Sequence, residues 1–352
     1  MITEFESAPA DRVGPYCALS VVAPCYNEAA GLTELHRRVS AVCRRTIGDS
    51  YELVLINDGS SDGTLAVMAV LADSDPHVVA INLTRNYGHQ VALTAGLEHC
   101  RGDRVLIIDA DLQDPPELLP EMMSLMDIGA DIVYGQRRTR SGISWWKKTA
   151  MRIFYRLLRG LVDIDIPLDT GDFRLVSRRV LNILNMMPEQ HRFIRGMISW
   201  MGLKQVPLLY DRDPRFAGES GYPFGKLLRL ALDGITGFSV VPLRLASYFG
   251  LLTGLLGVAM LIYSVGSWFF NAPAGWASQT TIILVLGSGQ LLVLGIVGEY
   301  LGRLYIESKR RPVYLIERII RRSDGASSPD TLPLKRQAVD QDGQQKWFGK
   351  ES

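Results

Sequence analysis

From Leu245 to Gly298 the chain carries no charged side chain. An ordinary surface helix pair is thereby excluded, because such helices keep a polar stripe. Buried soluble helices rarely run beyond about 18 uncharged residues, which leaves a membrane segment. Net charge is also nearly absent: 38 Lys and Arg against 37 Asp and Glu leave +1. A nucleic-acid partner held by bulk charge is excluded on that ground. Cysteine is scarce, and Cys17, Cys25, Cys43 and Cys100 show no CxxC pairing. Reduced thiols are expected, rather than disulfides or a zinc site. The N-terminus contains Glu4 and Glu6 but no apolar core, so no signal peptide is expected there.

What the chain has is a hydrophobic share of 47% over 352 residues, enough for one α/β domain and a membrane segment. Short apolar runs alternate with helical patterns. Leu19–Pro24 ends in Cys25-Tyr26-Asn27-Glu28, and Tyr51–Ile56 ends in Asn57-Asp58-Gly59-Ser60-Ser61-Asp62-Gly63-Thr64. Val78–Leu83 ends in Thr84-Arg85-Asn86-Tyr87-Gly88-His89, and Val105–Ile108 ends in Asp109-Ala110-Asp111. Strands alternating with helices predict a mostly parallel sheet covered on both faces. Four strands then deliver Glu28, Asp58, Asn86 and the Asp109/Asp111 pair to one rim, where open α/β sheets bind ligands. Helix capping by Asn, Asp and Ser is the competing reading of such clusters. It does not explain why all four rims are acidic or amide-rich.

Alternation along a strand turns residues i and i+2 to the same side, so Asp109 and Asp111 are expected to emerge together. Their mutual repulsion is relieved by a hard divalent cation, Mg²⁺ or Mn²⁺, which takes oxygen ligands and substrate phosphates. Gln113 is placed to complete that metal shell.

The strings VVAPCYNE, INDGSSDGT, NLTRNYGHQ and IDADLQDPPE resemble family 2 glycosyltransferases of the GT-A fold. More narrowly they resemble polyprenyl-phosphate glycosyltransferases, the group of the bactoprenol glucosyltransferases and dolichyl-phosphate mannose synthase. The likeness runs from about Leu19 to about Pro312. It implies a Rossmann-like α/β domain followed by two transmembrane helices, and transfer of a hexose to a polyprenyl phosphate with inversion. Glucose is the first expectation for the sugar, with GDP-mannose, UDP-GlcNAc and UDP-galactose as alternative donors. A nucleotide-sugar pocket is implied from Pro24, Tyr26, Asn27, Glu28, Asp58, Asn86, Gly88, His89, Asp109, Ala110, Asp111, Arg137 and Lys147. Asp172, in Thr170-Gly171-Asp172-Phe173-Arg174, matches the acid proposed as general base in bacterial members; an ordinary turn acid pairing with Arg174 is the alternative. Arg138, Arg212 and Arg215 are candidates for the acceptor phosphate. The family commonly has Lys where this chain has Gly221, so no phosphate contact is assigned there.

Two apolar segments, Leu245–Phe270 and Thr280–Gly298, each approach the roughly 20 residues that cross hydrocarbon. Arg244 precedes the first, while Arg303, Lys309, Arg310 and Arg311 follow the second; the intervening loop has no basic residue. Both ends and the catalytic domain are thus expected in the cytosol, on a multi-pass protein of the inner membrane. Leu227, Leu230, Ala231 and Ile235 fall near helical spacing, with Lys226 and Arg229 elsewhere, as in an interfacial helix touching membrane lipids. The expected division is a flexible N-terminus (1–16), a GT-A domain (17–218), interface helices (219–243), two spans (244–304) and a partly disordered cytosolic tail (305–352). A homo-oligomer through the spans stays open. Processive polysaccharide synthases share the first motifs, but their later QxxRW motif is missing here. A non-catalytic nucleotide-sugar-binding membrane protein is the other rival, against which the intact DxD stands.

Overall fold

The computed structural model describes residues 17–138, 170–212, 241–269 and 276–322. Its centre is one eight-stranded sheet: β1 (Leu19–Cys25), β2 (Tyr51–Asn57), β3 (Val78–Leu83), β4 (Arg104–Ile107), β5 (Ile132–Arg137), β6 (Thr170–Ser177), β7 (Gln205–Tyr210) and β8 (Ile316–Ile320). The strand order is β7-β5-β6-β4-β1-β2-β3-β8. β1 to β4 run parallel, and β5 and β7 share their direction. β6 and β8 are opposed to them. The sheet is therefore mostly parallel, as the alternation predicts. β1 lies between β2 and β4, so the chain reverses its direction of winding there and opens a crevice at the strand ends.

Alternation sorts the apolar residues into two layers. Leu19, Val21, Ala23, Leu53 and Leu55 join one cluster, while Val22, Val54, Ile56, Val105 and Ile107 join the other. The first layer is closed by α1 (Leu32–Ile47), α2 (Thr64–Ser74) and α4 (Leu119–Asp127), the second by α3 (His89–His99), α5 (Arg178–Met186) and α6 (Ile194–Trp200). In α1 the buried Leu32, Leu35, Val39, Val42 and Cys43 recur at helical spacing. All four cysteines are buried and free, as expected from their spacing.

Two long helices follow, α7 (Val241–Phe269) and α8 (Trp276–Ser308). Gly289 lets them meet: a Cβ there would lie 2.8 Å from the Phe249 ring. Among the described residues one stretch, Val241–Ala259, is long and apolar enough to cross a membrane. It leaves Leu245, Leu251, Leu252, Leu255 and Leu256 exposed.

The expected tail differs most from the structure. Helix α8 continues past residue 304, and Ile316–Ile320 pairs antiparallel with β3 as the last strand of the sheet. Ile316, Ile319 and Tyr314 pack on the second apolar cluster. Glu317 Oε2 accepts a hydrogen bond from Asn82, which in turn accepts one from Asn57. The catalytic sheet is thus finished by residues beyond the hairpin. Too short and irregular to announce itself, this strand is specified by the open edge of β3.

Candidate active site

The site is built where β1, β2, β3 and β4 end. Because β6 runs the other way, its first residues lie at the same rim. Leu106 pairs with Leu175 and Ile107 with Arg174. Asp109 lies two residues past Ile107, and Asp172 two residues before Arg174. Strand pairing across a wide gap in sequence thus brings the two carboxylates together.

Asp172 is buried and held on three sides. Arg195 Nε donates to its Oδ1 at 2.7 Å, and Gln90 Nε2 donates to Oδ2 at 3.1 Å. His89 Nε2 lies 3.0 Å from the same Oδ2. Burial pushes this carboxyl up, but the Arg195 guanidinium and His89 outweigh it and hold it well below the usual range. Asp172 therefore stays ionised. Its ion partner is Arg195, not Arg174, whose Nη2 donates instead to the Gly171 carbonyl.

His89 also reaches Asp109, with Nε2 3.6 Å from Oδ1, a buried oxygen that has no hydrogen-bond partner. Burial, reinforced by Asp172, Asp114 and Asp111, raises the Asp109 carboxyl to about 6 against the pull of His89. Burial likewise works against a protonated His89, yet Asp172 and Asp109 raise its pKa overall. One ligand atom from each of His89, Asp109 and Asp172 falls within 4.8 Å of the others. An imidazole nitrogen with two carboxylates, one oxygen unpartnered, is a donor set that suits Mn²⁺ or Mg²⁺.

Strand alternation is expected to turn Asp109 and Asp111 to one side at the strand end, whereas β4 stops at Ile107 and the pair follows it outside the strand. There Leu112 takes a positive φ of 61° with its side chain buried in the first apolar cluster. Asp111 is not one of the three clustered ligands. Its Oδ1 accepts from the Gln113 N–H, and Oδ2 lies 3.6 Å from Arg212. Arg212 also stands 3.6 Å from the fully buried Asp114, which accepts from the Tyr210 hydroxyl. Arg137 Nε is 3.5 Å from that same hydroxyl. Arg137, Arg212, Asp111 and Asp114 thus form a second charged group beside the first.

The remaining rim residues divide by task. Asp58 is buried, and both its oxygens are taken by the N–H groups of Tyr87 and Gly88 at 2.7 and 2.9 Å. It fixes the Arg85–His89 turn. Gly59, at φ +63°, permits the approach, since a Cβ there would collide with the backbone of Arg85 and Asn86. Asn27, also at positive φ, accepts from the Ser61 N–H, and the Glu28 N–H donates to Thr64. Pro24 and Ala110 are buried; Tyr26 and Asn86 are exposed at the lip. Arg138 is exposed, 3.9 Å from Asp211. Lys147, Arg215 and the 219–240 stretch lie outside the described residues.

Gln90, Asp114, Arg195 and Tyr210 are absent from the sequence-based candidates. Asp114 stands in the quoted IDADLQDPPE string and was within reach of it. Gln90 likewise closes the quoted NLTRNYGHQ string, whereas Arg195 carries no local signal, because it meets Asp172 only through the packing of α6 on β6.

Residues 20–184 match the glycosyl transferase family 2 pattern, and residues 241–304 match the GtrB C-terminal hairpin. The chain belongs to glycosyltransferase family 2 and is a glycosyltransferase. It is 44% identical to the uncharacterized glycosyltransferase YkcC of Bacillus subtilis, over 85% of this chain and 93% of that one. It is 40% identical to the prophage bactoprenol glucosyl transferase homolog of Escherichia coli, over 86% of this chain and 99% of the relative. A bactoprenol glucosyl transferase of Shigella phage SfV is also 40% identical, over 85% and 98%. Among solved structures, S. aureus TarS 1-349 with UDP-GlcNAc aligns at 17% identity and a TM-score of 0.44, covering 78% of this chain and 81% of that one.

Proposed function

We propose that the protein moves a hexose, glucose before others, from a nucleotide sugar to a polyprenyl phosphate at the cytosolic face of the membrane. The observation that carries this reading is the near full-length likeness to bactoprenol glucosyl transferases, hairpin included. Both hairpin helices cross the bilayer in this proposal. Return of the chain from α8 into β8 supports placing both hairpin ends on the side of the catalytic domain. Arg244 and the Lys309-Arg310-Arg311 run agree with a cytosolic side.

Asp109, His89 and Asp172 would hold a divalent cation, with Asp111 and Gln113 on the adjoining turn. When bound, such an ion neutralises charge on the leaving nucleoside diphosphate. Asp58 keeps the Tyr87–Gly88 backbone in place for the nucleotide, and Glu28 and Tyr26 flank it from β1. Arg137, with Lys147, is assigned to the diphosphate; Arg138, Arg212 and Arg215 are assigned to the acceptor phosphate. An oxygen of that phosphate forms a bond to the anomeric carbon as the bond to the diphosphate oxygen breaks. The diphosphate takes the electron pair, and the anomeric configuration inverts. A phosphate monoester is already anionic at neutral pH, its second pKa being near 6, so no base need remove a proton. Asp172, kept ionised by Arg195, then orients His89 and faces the positive charge that develops on the sugar.

The test is a panel of labelled nucleotide sugars offered, with undecaprenyl phosphate, to the detergent-purified protein. A lipid-linked hexose from UDP-glucose is expected. Product from another donor alone would change the sugar. Nucleotide binding without any lipid product would return the protein to a binding role.

A further inference from the structure

The loop between α5 and α6 touches the membrane hairpin at one end and the active site at the other. Within it, the Gln190 backbone N–H donates to Glu307 Oε1 at 2.8 Å, and the Gln190 side chain donates to the Arg311 carbonyl at 2.9 Å. Glu307 belongs to the last turn of α8. Two residues on, the buried Arg192 donates to the Leu184 carbonyl and lies 3.5 Å from Glu98. Glu98 in turn accepts from the hydroxyl of Tyr314, beyond the hairpin. The loop ends at α6, where the Ile194 N–H donates to Gln90 Oε1 at 3.0 Å. The other end of that same Gln90 amide donates to Asp172, and Arg195, the next residue of α6, grips the opposite carboxylate oxygen.

We propose that Glu307 is a positioning residue for Asp172, acting through Gln190, the Ile194 amide and Gln90. The physical reason is that Gln90 has its carbonyl and its amino group committed in opposite directions. A displacement of α6 must move Gln90 or break one of its bonds. Arg195 rides on the same helix, so both groups that orient Asp172 shift together. Buried Ile194, Met197 and Ile198 seat α6 in the second apolar cluster, and the loop before it sets where its first turn lies along the rim. The clasp at Glu307 holds that loop at Gln190, from the element that sits in the bilayer. Full alignment of Asp172 is thereby made to depend on a seated hairpin, which ties sugar transfer to the membrane-bound state.

The kinetic part of this inference rests on the proposed transfer to polyprenyl phosphate; the exchange part does not. The experiment uses the full-length protein in nanodiscs, with Glu307→Ala and Glu307→Gln. Glu307→Ala is expected to lower kcat by about 10²-fold, the scale of a misplacement of about 1 Å, while donor KM stays within about twofold. Hydrogen exchange of the Ile194 amide should quicken about tenfold, as for loss of one local hydrogen bond. Glu307→Gln still offers an oxygen to the Gln190 N–H and should restore both readouts. Unchanged kcat and exchange in Glu307→Ala would overturn the proposal, as would Glu307→Gln failing as badly as the alanine. Where Glu307→Ala no longer binds nucleotide, the wild type decides. Its Gln190 and Ile194 amides should open as one unit, and independent opening rates would refute the link. A wild type that makes no lipid product defeats the functional reading alone and leaves the exchange result to speak for the clasp.

Discussion

The His89 imidazole reaches both Asp109, two residues past β4, and Asp172, in the neighbouring β6, at 3.6 and 3.0 Å. One of these carboxylates is raised by its surroundings and the other depressed, although they share a neighbour. The difference is Arg195, which grips Asp172 and leaves Asp109 with an unpartnered oxygen. Opposed environments of this kind separate the tasks of adjacent acids.

Asp109→Ala should remove divalent-ion binding and turnover together. Titration with Mn²⁺, followed by its paramagnetic signal, checks binding apart from catalysis. Chelation should silence the wild type until Mg²⁺ or Mn²⁺ returns. Full activity in excess chelator would exclude a cation role for the His89 group.

Asp172→Asn should retain donor affinity and lose kcat. Asp172 acts in this reading without removing a proton, so the loss should be about 10²-fold, the scale of a misplaced site group. Arg195 and His89 keep Asp172 ionised well below the usual carboxylate range, so kcat should show no acidic limb belonging to it between about pH 4 and 6. Steady-state rates of wild type and variant across that range test both statements. A wild-type limb near pH 5 that disappears in Asp172→Asn would make Asp172 a titrating base after all.

Away from the site, Asp75 contributes to acid stability. Burial alone would raise its carboxyl, but the His77 N–H and the imidazoles of His36 and His77 bring it down to about 2 from 3.8. A depressed acid stabilises the fold above its unfolded pKa and loses that contribution as pH falls. Asp75 should therefore add about 2 kcal/mol at neutral pH, declining between about pH 4 and pH 2. Denaturant melts of wild type and Asp75→Asn should differ at pH 7 and converge near pH 2.

Cutting the chain after residue 218 removes more than the hairpin. It deletes β8, opens the β3 edge and strips Tyr314, Ile316 and Ile319 from the second apolar cluster. Loss of this packing and pairing should lower stability by about 2–4 kcal/mol. Urea melts of the two catalytic domains, one ending at 218 and one with 309–322 joined back by a short linker, measure it. Equal midpoints would show that β8 only rests on the sheet.

Much of the fold was legible because strand and helix periodicities are local. The apolar runs beginning at Leu19, Tyr51, Val78 and Val105 appear as β1 to β4, and the charge-free stretch as the hairpin helices. Rim residues were legible for the same reason: a parallel sheet sends every strand end to one edge. The Asp111 turn was not, since Leu112 leaves the strand path by burying its side chain at positive φ. β8 was hidden as well, because an edge strand of five residues is chosen by the edge it completes.

By itself, then, the sequence determined the alternating architecture, the long charge-free apolar segment and the acidic rim, all properties of neighbouring residues. Tertiary structure alone decided which acids meet. Asp109 and Asp172 are brought to one rim by the β4–β6 pairing, Gln90 and Arg195 reach Asp172 from separate helices, and Glu307 meets Gln190 from the end of the hairpin. Such contacts span many tens of residues, and their energies exist only once the sheet has brought the segments within hydrogen-bonding distance.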